Sequence, residues 1–441
     1  MELILFTIKK FIPRRLFLLL QPSYHWLLAF SAATFYFFPS RKLKVIGVTG
    51  TDGKSTVVSL LHEIFRKSGH NVASISSLRF KINDAEEPNL RKMTMPGRFF
   101  VQRFLRRAKR GNAQFVILEV TSEGIKQFRH KFIKFDAAIL TNLTPEHIES
   151  HGSFENYRAA KAKLFNALGK SGVAILNRDD SSWGYFVAQS RAKTILYSTK
   201  GITAAGRVHP VLELSTKGGI TFVIDGVRFR SELIGGFNVS NILAATAAAY
   251  AFGFTLEEIA SALEKIPPVP GRLEVIQEKP FRVVVDYAHT PNALRNVYQT
   301  LRNANSKPET LNSKLICVLG AAGGGRDKWK RPEMGKIAGE FCSEIILTNE
   351  DPYDENPRTI LDEIERGLSQ TLNPKPETLN PRKILDRREA IRKALHIAQE
   401  GDTVIITGKG AEQFIMGPEN TKIPWDDRMV VCEEIEHTSK K

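Results

Sequence analysis

Residues 45–56, VIGVTGTDGKST, constrain the fold of this chain more than any other stretch. The β-branched run Val45-Ile46-Gly47-Val48 reads as a buried strand, and it stops at a turn holding Gly50 and Gly53. A helical pattern follows from Thr56. Strand, glycine turn, Lys54-Ser55 and helix together form a phosphate cradle, because backbone N–H groups and a helix N-terminus both favour an anion. Lys54 can reach terminal phosphates, and the Ser55 hydroxyl can ligate the magnesium that accompanies them. The standard loop has a further glycine five residues before Gly53, where this chain has Val48. The motif points to ATP or a close analogue.

With 441 residues there is room for two or three domains. The net charge of +16 calls for anionic partners: nucleotides, a nucleotide-linked substrate, nucleic acid or a membrane surface. Zinc-finger spacing, an aromatic single-strand platform and a basic block within the globular part are all missing, which argues against nucleic acid. Cys317, Cys342 and Cys432 are scattered and apolar-flanked. They read as buried thiols in a reducing compartment, hence the cytoplasm.

Three segments are expected. Residues 1–43 form an apolar and basic N-terminal segment: Lys9, Lys10, Arg14 and Arg15 lead into WLLAFSAATFYFF (26–38). No small-residue cleavage site marks a signal peptide. Gln21-Pro22-Ser23 and His25 cut the run too short for a membrane span. Two readings stand, a helix packed on the first domain and a basic amphipathic segment on the inner membrane face.

Residues 44–267 alternate strand-like and helical patterns, as in a doubly wound α/β domain. FVILEV (115–120), DAAILTNL (136–143) and VAILNRD (173–179) are among its strands. After PPVPG (267–271), residues 268–441 repeat the alternation with RVVVDYA (282–288), KLICVLGAAGGG (314–325), EIILTNED (344–351) and TVIITGKG (403–410). This predicts a smaller Rossmann-like α/β domain. Two near-identical KPETLN strings, at 307–312 and 375–380, read as surface-loop insertions.

In open α/β sheets the strand C-termini collect the site. Glu119 closes FVILEV, His147 follows LTNLTPE, and Lys161 sits in the helical pattern ENYRAAKAKLF, where small alanines leave room for it. With Ser55 they are candidate ligands for one or two hard cations beside the phosphates. Singly, each has an ordinary reading: a solvated strand terminus, a helix cap, a surface charge.

These strings together resemble the Mur ligase family, the ATP-dependent peptide synthetases of peptidoglycan precursor synthesis. TGTDGKST (49–56), LEVTSEGIKQFRH (118–130) and LTNLTPEHIESHGSFENYRAAKAKLF (140–165) carry the resemblance. GGFNVSNILAA (235–245), PGRLE (270–274), DYAHTPNAL (286–294), LGAAGGGRDKWKRPEMG (319–335), TGKGAEQF (407–414) and WDDRMVV (425–431) follow in the family's order. HIESHG, DYAHTPNAL and GKGxE are most similar to the branch that adds the third stem-peptide residue.

The resemblance implies a two-step ligation. A substrate carboxylate takes the γ-phosphoryl group of ATP, and the amine of an amino acid displaces phosphate from the acyl phosphate. It implies that Gly50, Thr51, Asp52, Gly53, Lys54, Ser55 and Thr56 hold ATP, with Asn238 and Asn241 on the adenine side and Arg272, Asp286 and His289 reaching it from the linker and second domain. Ser55, Glu119, His147 and a carbamylated Lys161 would hold Mg2+. Lys54, Glu119, His147 and Lys161 are the implied catalytic set. Thr94, Thr121, Gln127 and Arg129 match positions for the muramyl dipeptide, and Arg326, Glu350, Asp351, Tyr353, Gly408 and Glu412 match the amino-acid pocket. The implied partners are a nucleotide- or lipid-linked muropeptide and a free amino acid, acting on a monomer.

Three departures accompany the match. Forty-four residues before the first strand are too few for the family's uridine-binding domain. Glu350-Asp351-Pro352-Tyr353 stands where diaminopimelate-specific members read Asp-Asn-Pro-Arg, which leaves diaminopimelate and lysine both open. Ala411 replaces a usual histidine. Alternatives are a folylpolyglutamate-synthetase-like enzyme, a ligase acting on a lipid-linked muropeptide and, from another class, a non-catalytic nucleotide-binding scaffold at the membrane.

Overall fold

The computed structural model describes residues 14–200, 210–213, 219–304, 313–371 and 381–439. Both KPETLN strings lie outside the described residues. Within them the chain folds as two compact units. The first takes the chain up to Leu143, Arg158–His209 and Asn241–Ala262; the second takes Thr144–Tyr157, Pro210–Ser240 and the chain from Leu263 onward.

The first unit is built on an eight-stranded sheet. Its order is Ala85–Pro88, Arg79–Ile82, Val72–Ile75, Phe115–Glu119, Lys44–Thr49, Ala137–Leu140, Val173–Asn177 and Lys193–Tyr197. From Val72–Ile75 onward the strands are parallel, and those at the core of the sheet are the apolar runs read from sequence. Such strands are covered on both faces, which is why they lack polar alternation. The register sets Glu119 beside Val48 and Leu140 beside Thr49, so three strand ends converge on the Gly50–Gly53 turn.

The two antiparallel strands at one edge were not foreseen. Apart from buried Phe80, Arg79–Ile82 and Ala85–Pro88 are half-buried or exposed, so their apolar signal is weak.

The N-terminal segment forms one helix, Arg14–Phe35, that continues through Pro22, where the sequence predicts an interruption. Pro22 is exposed, so water can serve the carbonyl that its missing N–H leaves without a partner. The helix packs on Arg98–Arg110, in agreement with the first of the two readings. Among the described residues, no helix is long and apolar enough to cross a membrane.

The second unit has a six-stranded sheet ordered Glu274–Gln277, Arg282–Val285, Thr403–Ile406, Leu315–Leu319, Glu344–Leu347 and Arg382–Lys383, parallel except for the first pair. Alternate residues feed two cores. Val284, Cys317, Leu319 and Ile405 pack with helices Pro291–Ala304, Lys330–Phe341 and Pro357–Leu368, while Val283, Val285, Ile316 and Ile406 pack with Arg387–Ile397 and Asp427–Ser439. A three-stranded antiparallel sheet, Pro210–Glu213, Ile220–Ile224 and Val227–Ser231, also belongs to this unit and was not read from sequence.

The cysteine reading is corrected. Cys317 and Cys342 form a disulfide with Cα atoms 6.0 Å apart, and Cys432 is exposed rather than buried. Helix Lys330–Phe341 ends over the face of the strand that carries Cys317, a proximity that spacing along the chain does not reveal. The pairing withdraws the thiol argument for a reducing compartment.

Candidate functional site

In the first unit the helix after the phosphate loop starts at Lys54, two residues earlier than its apolar pattern suggests, with Gly53 at its N-cap at φ 80°. Two glycines are sterically required. A Cβ on Gly53 would lie 2.2 Å from Asn241 Oδ1, and one on Gly50 would lie 1.9 Å from Thr141 Oγ1. At these positive φ values side chains are also strained.

Thr51 and Asp52 are held by the neighbouring strand end. Thr51 N–H donates to the Asn142 carbonyl (2.9 Å), Asp52 N–H to Asn142 Oδ1 (2.9 Å), and Thr141 Oγ1 to the Asp52 carbonyl (2.7 Å). Lys54 Nζ donates back to the Thr51 carbonyl (2.7 Å). Thr56 is buried one position beyond Ser55.

Ser55 Oγ donates to Glu119 Oε2 (2.9 Å) and lies 2.8 Å from Ser77 Oγ, while Ser77 N–H donates to the same carboxylate oxygen (2.9 Å). Glu119 and Lys161 are both buried at 2 % exposure, which removes their ordinary surface readings. Lys161, on helix Phe154–Asn166, donates to the Gly50 carbonyl at 2.6 Å. The first unit therefore gathers Gly50–Thr56, Glu119, Lys161 and Asn241 at one end of its sheet. Ser77, Thr141 and Asn142 complete that cradle and were missed, because serine, threonine and asparagine in a turn have many commoner uses.

The donor set fits a hard divalent cation. Among the described residues no cluster of three or more His, Cys, Asp or Glu could hold a metal. Magnesium suits such a site, because it keeps several waters and takes one or two carboxylates together with phosphate oxygens.

The proposed acceptor residues also meet within the first unit. Arg129 donates to the Met95 carbonyl and to Gln127 Oε1, the latter at 2.8 Å. Thr121 caps the short helix after Glu119 by accepting from Gly124 N–H (3.1 Å), and Thr94 adjoins Met95 in sequence.

His147, Asn238, Arg272, Asp286 and His289 fall in the second unit. His147 sits at φ 58° before the short helix Ile148–His151, its ring 6.0 Å from that of Tyr157. Asp327, which the sequence reading passed over, accepts from the Ile148 and Glu149 N–H groups (3.2 and 3.0 Å). Lys330 forms a buried ion pair with Glu146 (3.0 Å). Asn238 donates to the Ile234 carbonyl (2.7 Å).

Around Tyr287 the structure brings three predicted residues together. The Arg272 guanidinium lies 4.2 Å from the centre of its ring, the His289 ring is 4.5 Å from it, and Asp286 accepts from Leu273 and Ala288 N–H (2.6 Å each). Burial, reinforced by the Glu412 charge, raises the Tyr287 phenol well above its usual range.

The positions predicted to form the amino-acid pocket come together at the C-terminal ends of the second sheet. Lys409, between Gly408 and Gly410, is fully buried and donates to Asp351 (2.7 Å) and Glu412 (2.6 Å). Burial opposes its charge, but the two carboxylates outweigh burial and hold the ammonium. Lys409 was missed because a lysine between glycines reads as a solvated loop. Tyr287 donates to Glu412 Oε1 (3.3 Å), and Arg326 hydrogen-bonds Tyr353. Gly408 has φ 107°, and a Cβ there would lie 2.5 Å from Glu350 Oε2.

Glu350 is fully buried, and among the described residues its Oε2 has no hydrogen-bond partner. Burial, then the neighbouring Asp351 charge, pushes its carboxyl up to about 7 from an ordinary 4.5. Between those values the folded state holds a proton that the unfolded chain releases. The associated stability is therefore full below 4.5 and lost as pH rises through 7. Glu350→Gln should gain roughly 5 °C in Tm relative to the parent on going from pH 5 to pH 8. Parallel thermal melts check this; an offset that stays constant with pH would refute it.

Comparison with known proteins decides the family. Residues 48–249 match the Mur ligase middle domain and residues 271–410 match the Mur ligase glutamate ligase domain. A UDP-N-acetylmuramoyl-L-alanyl-D-glutamate–2,6-diaminopimelate ligase from Geobacillus kaustophilus is 38 % identical over 415 residues, covering 91 % of this chain and 81 % of the relative. The chain belongs to the Mur ligase family. As a Mur ligase it is an ATP-dependent ligase of peptidoglycan synthesis.

The same enzyme from Thermosynechococcus vestitus is 38 % identical to this Mur ligase, over 90 % of the chain and 78 % of the relative. A solved structure of a diaminopimelate ligase of that name superposes with a TM-score of 0.58 at 32 % identity, covering 90 % of this chain and 79 % of the other. Folylpolyglutamate synthase from Mycobacterium tuberculosis gives a TM-score of 0.68 at 15 % identity, covering 87 % and 92 %, which is a likeness of fold.

Proposed function

We propose that this Mur ligase joins a diamino acid to a UDP-muramyl-dipeptide-type acceptor, with residues 44–267 as its ATP domain and 268–441 as its amino-acid domain. The observation that carries the reading is the cradle in which Ser55, Glu119, Lys161 and the Gly50–Thr56 turn share one strand-end cluster. The names of the relatives supply the substrate class.

In the proposed reaction an acceptor carboxylate oxygen attacks the γ-phosphorus of ATP, and ADP leaves. The incoming amine then attacks the acyl carbon, loses a proton and expels phosphate. The loop and Lys54 position and neutralise the β,γ-phosphates, which is most of what phosphoryl transfer needs from a protein. Ser55, Glu119 and Lys161 of the first unit are the residues that would hold magnesium, which supplies charge screening on the phosphates when bound. A carbamate on Lys161 would make that side chain anionic while keeping one N–H for the Gly50 carbonyl. Arg129 and Gln127 would meet the acceptor, and Asn241 would meet the nucleotide alongside the phosphate loop.

Arg326 and Glu412 would pair with the α-carboxylate and an amino group of the amino acid. Tyr353 is engaged with Arg326, and Arg358 lies exposed on the first turn of helix Pro357–Leu368. A bidentate partner for a second carboxylate is worth on the order of 2–3 kcal/mol, or roughly 30- to 150-fold. Phosphate release from ATP should require both an acceptor and an amino acid. Turnover with meso-diaminopimelate should exceed that with L-lysine by less than about a hundredfold, unchanged in Arg358→Ala. A larger preference abolished by Arg358→Ala would show that Tyr353 does not occupy the selective position.

A further inference from the structure

The helix Arg14–Phe35 packs in an inverted manner. Its buried contacts are small: Ala29, Ala32 and Ala33 are 2 %, 0 % and 0 % exposed. Among the side chains described from Leu20 onward, several large apolar ones turn outward: Leu27 is 58 % exposed and Phe35 67 %, and Phe37 just beyond the helix is 78 % exposed. A helix buried only for the sake of its own domain places large residues inward.

The outward residues take part in two aromatic groups. Trp26 stacks on Phe30 with ring centres 5.4 Å apart, both rings meet Phe132 edge-on at 5.4 Å, and Phe35 approaches Phe99 at 6.4 Å. Exposed large apolar side chains gathered along one helix mark an interaction site.

The surroundings of this surface are basic. No aspartate or glutamate occurs between Lys9 and Thr51, a span with seven lysines and arginines. The helix Arg98–Arg110, on which Arg14–Phe35 packs, carries six basic residues and no acidic one. The turn Pro39–Lys42 packs on it too, and Lys109 feels the charges of Lys42 and Arg106. Arg107 is ion-paired with Glu87, which leaves the excess positive.

We propose that the aromatic face of helix Arg14–Phe35, with Lys42, Arg106 and Lys109 at its basic margin, docks this enzyme on an anionic lipid bilayer surface. Tryptophan and tyrosine suit the headgroup level, where one side of the ring is apolar and the other wet. Aliphatic and phenylalanine side chains enter the acyl boundary, and the cations meet acidic headgroups. A second copy of this chain fits poorly, because a twofold contact would set one basic margin against another. The inference does not depend on which amino acid the enzyme adds.

Flotation of the full chain with vesicles of phosphatidylglycerol and phosphatidylcholine, compared with phosphatidylcholine alone, tests the proposal. Binding at 0.1 M salt should be at least tenfold stronger on the anionic vesicles and should fall in 0.5 M salt. Arg106→Gln with Lys109→Gln should weaken it roughly 25-fold, about fivefold for each charge. Leu27→Ser with Phe30→Ser and Phe35→Ser should abolish it while leaving phosphate release and the circular dichroism spectrum unchanged. Equal binding to both vesicle types, or none to either, would overturn the proposal. So would a concentration-dependent dimer, seen by sedimentation, that the triple serine variant dissolves.

Discussion

Lys161→Ala should lower ligation on the order of 10³-fold or more, with partial recovery on adding a short carboxylic acid at high concentration. The side chain is buried, and its nitrogen is fixed 2.6 Å from the Gly50 carbonyl at the root of the phosphate loop. A bare ammonium there would add a cation to the proposed magnesium site. A carbamate reverses that charge and retains the one N–H that the Gly50 contact uses. If Lys161 carries the proposed carbamate, the alanine variant removes both that anion and the contact, and a small carboxylate can replace only the anion. Two readouts separate chemistry from folding. Labelled carbon dioxide should give a carbamate carbon resonance in the parent and none in the variant, and the thermal midpoints should stay close. Full ligation activity in Lys161→Ala would remove this lysine from the site.

Arg387→Leu should cost about 3–5 kcal/mol of stability, a fall in Tm on the order of 10 °C. Arg387 and Asp427 are 1 % and 0 % exposed at the side chain and form a two-point contact, Nε to Oδ1 at 2.8 Å and Nη2 to Oδ2 at 2.7 Å. The same guanidinium donates to the Thr407 carbonyl (2.8 Å) and the Asn349 carbonyl (3.2 Å). Those carbonyls directly precede Glu350 and Gly408, so Arg387 ties together the two loops that carry the predicted amino-acid pocket residues. Removing the arginine leaves Asp427 charged and buried, with Trp425 Nε1 still donating to it (2.8 Å). Arg387→Leu with Asp427→Leu should recover much of the loss, since no uncompensated charge then remains. Denaturant titration measures both variants. A single-variant loss under 1 kcal/mol would show that the pair is not strongly coupled to folding.

The phosphate loop, the strands around it and the order of the motifs were legible because each is a local pattern. A β-branched run ending in glycines and Lys-Ser has few other uses, and parallel strands buried on both faces announce themselves by unbroken apolarity. Glu119 and Lys161 were legible as candidates for a related reason, since charged residues at strand ends and among alanines stand out against an apolar background.

Four things lay beyond the sequence. The Cys317–Cys342 bond depends on which face of a strand one helix covers. The roles of Lys409 and Arg387 depend on carboxylates 58 and 40 residues away. The Ser77 and Asn142 contacts close the cradle through turns with no distinctive composition. The helix Arg14–Phe35 revealed its inverted packing only through burial, because a sequence gives the position of each aromatic side chain but not the side from which the protein approaches. Local chemistry along the chain specified the fold class and pointed to the proposed phosphate loop. Charge pairing and facing, which are fixed only when distant segments meet, decided the rest.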